Sequence, residues 1–338
     1  MRFAIITDTH FAIPGTVPDG VWWYKVPHSM DERRYASIKR SLKSLSPDFI
    51  AVCGDFTADC RRESFLLGKG IMDSIGCEWR TAVGNHDTNW PGVREEISSL
   101  YSLPDKINYY SHDISIEKHV LHFIFLDLCQ NLWRDGSIRP HVDQEAYDDG
   151  DILKFAIDDK QLEWFDKDLT ENRHKINIVI THTPVYYRDS VYVGTLPKAK
   201  EPFNDMTSLN LLNPELEAVS EKKLKEVINK HKDIITAVFS GHTHINEVIY
   251  AKGIPFCTTA ALRECPFEFR MAEVTDRSLD ITMHKLDDES IYEASYERWR
   301  GNEWIFGKPE DRELSIQLKP ENLLHNLQFN KPSSLPSP

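Results

Sequence analysis

Residues 2–10 read RFAIITDTH, a short β-rich run that stops at a carboxylate and an imidazole two positions apart. A run this short and this apolar suits a strand buried on both faces. Alternate residues of an extended chain point the same way, so Asp8 and His10 can address one point beyond the strand's end. The pattern recurs. DFIAVC (48–53) leads into Gly54-Asp55, and EWRTAV (78–83) into Gly84-Asn85-His86-Asp87. INIVIT (176–181) leads into His182, and DIITAVFS (233–240) into Gly241-His242-Thr243-His244. A further run of the same texture is VLHFIFLDL (120–128).

Between these runs, 29–45, 160–170 and 215–231 carry apolar residues at helical spacing. Strand alternating with helix predicts βαβ units and a layered α/β fold with mixed sheets. Ligands gather at the carboxyl ends of strands in such folds. The five strand ends should therefore bring Asp8, His10, Asp55, Asn85, His182, His242 and His244 to one crevice. A glycine before Asp55, Asn85 and His242 lets the chain approach an ion closely. Nitrogen and oxygen donors without thiolate suit divalent Mn, Fe, Zn or Co. Each piece alone has a bland reading as loop, turn or surface. Their joint occurrence, each directly after an apolar strand, does not.

Beyond residue 250, GIPFCTTAAL and EFRMAEVTDRSLDITMHKL read as strands of a second, partly antiparallel sheet. Residues 1–285 form the expected catalytic domain. Residues 286–325 read as a polar extension packing on it, and 326–338 as a disordered Pro/Ser-rich tail. Two stretches, 11–28 and 186–214, lack periodicity and read as lids or insertions. No repeat is present.

The 338 residues include 41% hydrophobic and 28% charged, with a net charge of −13. That balance fits a globular chain with a real core, and the acidity argues against a long nucleic acid as partner. The acidic cluster DDGD (148–151) reads as a solvated loop. No run is long enough to span a membrane, and RFAIIT begins too early to leave room for a signal peptide. The six cysteines are scattered, with no CxxC pair, which predicts reduced thiols and a cytoplasmic protein.

The set DTH, GDFTAD, GNHD, THTP and GHTH, in that order, resembles the calcineurin-like metallophosphoesterases over roughly residues 1–285. LPDKINYYSHDI, FIFLDL and KQLEWFDKDL look most similar to the branch of class III cyclic-nucleotide phosphodiesterases and glycerophosphodiesterases. The resemblance implies a four-layer α-β-β-α sandwich and a pair of divalent ions. It assigns Asp8, His10, Asp55 and His244 to the first ion, and Asp55, Asn85, His182 and His242 to the second. It also implies hydrolysis of a small phosphodiester by in-line attack of a hydroxide bridging the ions. A phosphomonoesterase or a nucleotide pyrophosphatase using the same ions is the alternative. A scaffold with vestigial metal is disfavoured by the complete ligand set. Two departures from neighbouring families are informative. The chain has GDFTADCR and GNHD where protein Ser/Thr phosphatases carry Arg-Gly after GD and usually GNHE. It has Ala58 where purple acid phosphatases place a tyrosine, so a tyrosinate-bound ferric ion is not expected.

His86, beside the ions without being a ligand, is suited to protonate the leaving alkoxide. Asp87 would fix the tautomer of His86. Trp22, Trp23, Lys25 and His28 are substrate-binding candidates, the aromatics by stacking on a base and Lys25 by meeting a second phosphate. An aromatic patch closing the core, or a subunit contact, is the competing reading. Arg263 is a weaker candidate for the crevice, in a segment more simply read as buried strand. The remaining histidines, among them His122, read as structural or surface.

Overall fold

The computed structural model describes residues 1–17, 27–88, 92–101, 103, 107–116, 118–140, 152–186, 219–300 and 303–318. The segment holding Trp22, Trp23 and Lys25, most of the 186–214 stretch, and the 326–338 tail lie outside the described residues.

The chain opens as a parallel βαβαβ unit: β1 (Arg2–Ile6), α1 (Asp31–Leu45), β2 (Phe49–Val52), α2 (Arg62–Asp73) and β3 (Glu78–Thr81). A short helix, α3 (Val93–Leu100), follows, then the hairpin β4 (Tyr110–Ile116) and β5 (His119–Phe125). Next come β6 (Gln130–Trp133), β7 (Ile138–Pro140) and β8 (Ile152–Ala156), which form a small three-stranded sheet of their own. The second half runs α4 (Asp159–Glu171), β9 (Ile176–Ile180), α5 (Val219–Lys230), β10 (Ile235–Ser240), β11 (Glu247–Ala251) and β12 (Ile254–Thr258). It ends with β13 (Glu268–Val274), β14 (Ser278–Lys285), α6 (Glu289–Trp299) and β15 (Glu313–Gln317).

Two six-stranded mixed sheets result, in the orders β15-β14-β13-β1-β2-β3 and β11-β12-β10-β9-β5-β4. The late strands do not build a second sheet of their own. β12 pairs in parallel with β10, whereas β13 runs antiparallel against β1 and so returns to the first sheet. The 286–325 stretch supplies α6 and the edge strand β15.

Period-two alternation explains the layering. On β5, Leu121, Phe123 and Phe125 enter one buried cluster, while Ile124 enters another. β9 divides likewise, with Ile176, Ile178 and Ile180 on one side and Val179 on the other. The first cluster joins the sheets face to face, where Phe123 meets Phe3 and Phe49 at ring-centroid distances of 5.1 and 4.8 Å. It extends to Ile38 and Leu42 of α1 and Phe65 and Met72 of α2. The second cluster seats α4 and α5 on the far face through Leu162, Phe165, Leu169, Leu224 and Ile228. The fold is therefore a four-layer α-β-β-α sandwich. Each such large side chain contributes about 2–3 kcal/mol on burial, which is why uninterrupted apolar strands occupy the two inner layers. Among the described residues, no helix is long and apolar enough to cross a membrane.

Candidate metal centre

Parallel pairing aligns the ends of β1, β2 and β3, since Ile5 lies opposite Ala51 and Ala51 opposite Arg80. β9 and β10 are parallel neighbours in the facing sheet. The turns after these strands are tied together by backbone bonds. Asp8 N–H donates to the Gly54 carbonyl at 3.1 Å, and Gly241 N–H to that of His182 at 2.9 Å. The sheets are linked by His242 N–H, which donates to Asp8 Oδ2 at 3.0 Å.

Close approach dictates two of the glycines. A Cβ on Gly84 would stand 2.0 Å from Asp55 Oδ1, and one on Gly241 would stand 1.8 Å from Thr7 Oγ1. Five of the candidate ligands occupy the left-handed backbone region: Asp8 at φ 49°, His10 at 43°, Asp55 at 46°, His242 at 68° and His244 at 57°. Each such residue costs on the order of 1–3 kcal/mol and persists only where the surroundings over-determine it. That they cluster here marks the crevice as the functional part of the fold.

The side chains converge. Asp8, His10 and His244 form one group whose ligand atoms all lie within 4.8 Å of one another; Asp55, His182 and His242 form a second, and His10, Asp55 and His86 a third. Asn85 Oδ1 lies 3.1 Å from His182 Nε2, which is itself 3.3 Å from Asp55 Oδ2. His10 Nε2 sits between the two carboxylates, 3.7 Å from Asp8 Oδ1 and 3.6 Å from Asp55 Oδ2.

Ring tautomers follow from the outer partners. His182 Nδ1 faces the Cys53 carbonyl at 2.8 Å, so its Nδ1–H donates there and Nε2 is turned toward Asp55 and Asn85. His244 Nδ1 is held at 2.6 Å by Glu264 Oε1, leaving Nε2 3.1 Å from Asp8 Oδ1. His242 Nδ1 lies 3.1 Å from His182 Nε2, a repulsive pair of lone pairs unless a proton or an ion shares them.

Electrostatics divides the imidazoles into two kinds. Burial pushes His10 down to about 4, and burial together with the charge of His182 pushes His242 down to about 3. Against burial, the Asp55 carboxylate lifts His182 to about 9, and Asp8 and Glu264 lift His244 to about 10. Despite burial, His244 and its neighbours hold Asp8 well below the carboxylate range, and His182 and His86 hold Asp55 there too. The Asp8 and Asp55 carboxylates thus stabilise positive charge placed between them.

A metal fits this donor set. Both ring nitrogens of His10 and Nε2 of His242 are buried with no hydrogen-bond partner among the described residues. An unmet buried polar group costs about 1–3 kcal/mol, and a coordinated cation removes that cost. Nitrogen and oxygen donors held within 4.8 Å suit a borderline or hard divalent ion.

The sequence candidates are distributed as follows. Asp8, His10, Asp55, Asn85, His86, His182, His242 and His244 come together. Asp87 is beside them in a role other than the expected one. Its carboxylate accepts from the backbone N–H of Phe56, Thr57 and Gly84 at 3.0, 2.8 and 2.9 Å, and from Thr57 Oγ1 at 3.0 Å. Asp87 is therefore a clamp between two metal-binding turns. His86 is oriented by the Ala58 carbonyl, 3.2 Å from its Nδ1, and by its own N–H, which donates to Asp55 Oδ1 at 2.9 Å. The Arg263 side chain is fully buried, and its Nη1 donates to Asp31 at 3.0 Å. His28 opens a single 3-10 turn, His28–Met30, and its side chain lies outside the described residues, as do Trp22, Trp23 and Lys25.

Three participants escaped the sequence reading. Arg34 of α1 is fully buried and donates to the carbonyls of Thr9 and His10, bracing the first turn. Phe155 of β8 stands edge-on to His242 at 5.6 Å. Glu264 orients His244; the cue was the Arg-Glu pair that interrupts the apolar stretch AALRECPF.

A profile of the calcineurin-like phosphoesterases matches residues 1–246, and the chain belongs to that family. The fold is similar to that of a dimetal phosphatase from Danio rerio, with TM-score 0.60 and 14% identity over 94% of this chain and 99% of that one. It is also similar to a purple acid phosphatase from yellow lupin (Lupinus luteus), with TM-score 0.50 and 16% identity over 86% of this chain and 52% of that one. No curated protein matches the chain. Membership implies a metal-dependent phosphoester hydrolase working with a pair of divalent ions.

Proposed function

We propose that this protein hydrolyses a small phosphodiester, such as a cyclic nucleotide or a glycerophosphodiester. In this reading Asp8, His10, Asp55 and His244 hold one ion, and Asp55, Asn85, His182 and His242 the other. Mn, Fe, Zn and Co all suit the donors. The observation that carries the reading is the pair of side-chain groups, one around Asp8 and one around Asp55, with His86 beside the Asp55 carboxylate. When bound, such a pair of ions supplies Lewis acidity and a nucleophile at neutral pH.

The chain's own residues do the rest. His86, with Nδ1 beside the Ala58 carbonyl and its ring grouped with His10 and Asp55, is the residue placed to give a proton to a departing alkoxide. Asp87 holds the Asp55 and Asn85 turns in register through backbone N–H groups. The neutral Asn85 amide adds an oxygen without adding negative charge, which keeps the crevice attractive to a compact phosphate. A body of net charge −13 repels a long polyanion, so the partner is a small ester and not a nucleic acid duplex or a membrane surface. A cytoplasmic setting belongs to the same reading, from six scattered cysteines with no CxxC pair.

The test is a panel of cyclic nucleotides, glycerophosphodiesters, dinucleotide pyrophosphates and monoesters assayed with manganese. Diesters should turn over fastest. Preference for monoesters or pyrophosphates would replace this substrate assignment with the alternative. His86→Ala should keep its metals and lose about 10²–10⁴-fold on diesters with alkoxide leaving groups. It should lose far less on bis-nitrophenyl phosphate, whose leaving group needs no proton. Equal losses on both would remove His86 from that role.

A further inference from the structure

The family profile ends at residue 246, yet the metal-centre side chains rest on partners beyond it. Glu264, in the turn between β12 and β13, is 1% exposed. Its Oε1 holds His244 Nδ1 at 2.6 Å, and its Oε2 accepts from the Trp299 indole N–H at 3.2 Å. Trp299 is the last residue of α6 and is itself 4% exposed. The same C-terminal stretch grips the turn that carries His242 and His244. Asn246 N–H donates to the Ile305 carbonyl at 2.9 Å, and Val248 N–H to Asp311 Oδ1 at 3.1 Å. A Cβ on Gly307 would fall 2.4 Å from the Asn246 carbonyl oxygen, so the two segments touch backbone to backbone.

We infer that Glu264 and Trp299 are positioning residues for the ion held by Asp8, His10 and His244, and that the C-terminal extension is thereby a working part of the metal centre. The inference rests on the proposed metal assignment. Its physical basis is the tautomer of His244. A carboxylate at Nδ1 fixes the proton there, turns the Nε2 lone pair toward Asp8, and raises the basicity of the ring as a ligand. A bare carboxylate at this depth would itself be poorly solvated, and the indole N–H supplies its second partner. Glu264 thus joins the metal ligand to α6 through one side chain. Binding of an ion at His244 and docking of α6 then reinforce each other.

The test is a manganese titration of the full-length protein, stripped with chelator, for wild type, Glu264→Gln and Trp299→Phe. The readouts are calorimetry for affinity and stoichiometry, and the visible spectrum of the cobalt-loaded protein for ligand geometry. Glu264→Gln should weaken one of two manganese sites by about 10–100-fold and leave the other unchanged. Its cobalt bands should shift. Trp299→Phe keeps an aromatic ring at the end of α6 while removing the N–H donor, and should weaken the same site several-fold and leave the other unchanged, with a modest drop in the metal-free melting temperature from the smaller ring and the unpaired carboxylate. Should Glu264→Gln fail to fold, Trp299→Phe carries the test alone. Wild-type affinities and spectra in both variants would overturn the inference, as would equal weakening of both sites. A wild-type protein that binds no manganese would instead overturn the proposed function, so the two failures are distinguishable.

Discussion

The metal crevice and the His122 cluster both bury imidazoles against carboxylates, and they differ in what they leave unmet. At the junction of the second sheet with α4, His122 lies between Asp113 and Asp168, with Nδ1 and Nε2 at 2.6 and 2.7 Å from their oxygens. Lys175 also pairs with Asp113, while Ser111 and Asn172 donate to Asp168. Both ring nitrogens of His122 have partners. In the crevice, by contrast, neither nitrogen of His10 nor Nε2 of His242 has a hydrogen-bond partner among the described residues, and five residues hold left-handed backbone. The lesson is one of satisfaction. A buried histidine cluster that completes its own hydrogen bonds is a latch, whereas one that leaves lone pairs converging is built for a cation.

The largest expected difference comes from the shared carboxylate. Asp55→Asn should lower turnover of bis-nitrophenyl phosphate by about 10³-fold or more, together with metal content by elemental analysis. His122→Gln should leave both unchanged. Loss of metal in the His122 variant would break the distinction between latch and cation site. Next, Gly84→Ala drives a methyl into Asp55 backbone and side chain and should cost about 2–3 kcal/mol of stability in urea denaturation. A neutral outcome would mean the two turns are not locked together. Asn85→Ala should fold normally and bind close to one ion per chain; retention of full two-ion occupancy would contradict the assignment of Asn85.

The smallest effect belongs to the latch and depends on pH. Against burial, Asp113 and Asp168 raise His122 above its ordinary 6.5, and Asp113 itself falls from 3.8 to about 2. The raised histidine stabilises the fold fully below 6.5, a contribution lost as pH climbs through its native value. The depressed Asp113 contributes above 3.8, and that contribution is lost as pH falls toward 2. His122→Gln should therefore cost most between about pH 4 and 6.5, on the order of 1–2 kcal/mol because Asp113 is half exposed, and less at alkaline pH. A pH-independent cost would show that packing, not charge, makes the latch.

Much of this was legible in the chain because the inner strands are apolar throughout and each ligand follows one directly. Residues such as His182 and His242 announce themselves by where the run stops. Strand pairing was less legible. Nothing local in EFRMAEV says that it lies beside β1, since its partner is chosen by the assembled sheet. The helix α2 was hidden by Gly68 and Gly70, which dilute its helical signal. Asp87 was misjudged through adjacency. Neighbouring residues in a helical turn do not face each other, so the carboxylate serves the backbone of the Asp55 turn and not the imidazole next to it in sequence. Glu264 and Trp299 act through space from beyond residue 246, where no spacing connects them to His244.

Anomalous diffraction from crystals grown with manganese addresses the central claim most directly. Two peaks should appear, one among Asp8, His10 and His244 and the other among Asp55, Asn85, His182 and His242. Density for manganese elsewhere, or none in the crevice at saturating metal, would contradict it.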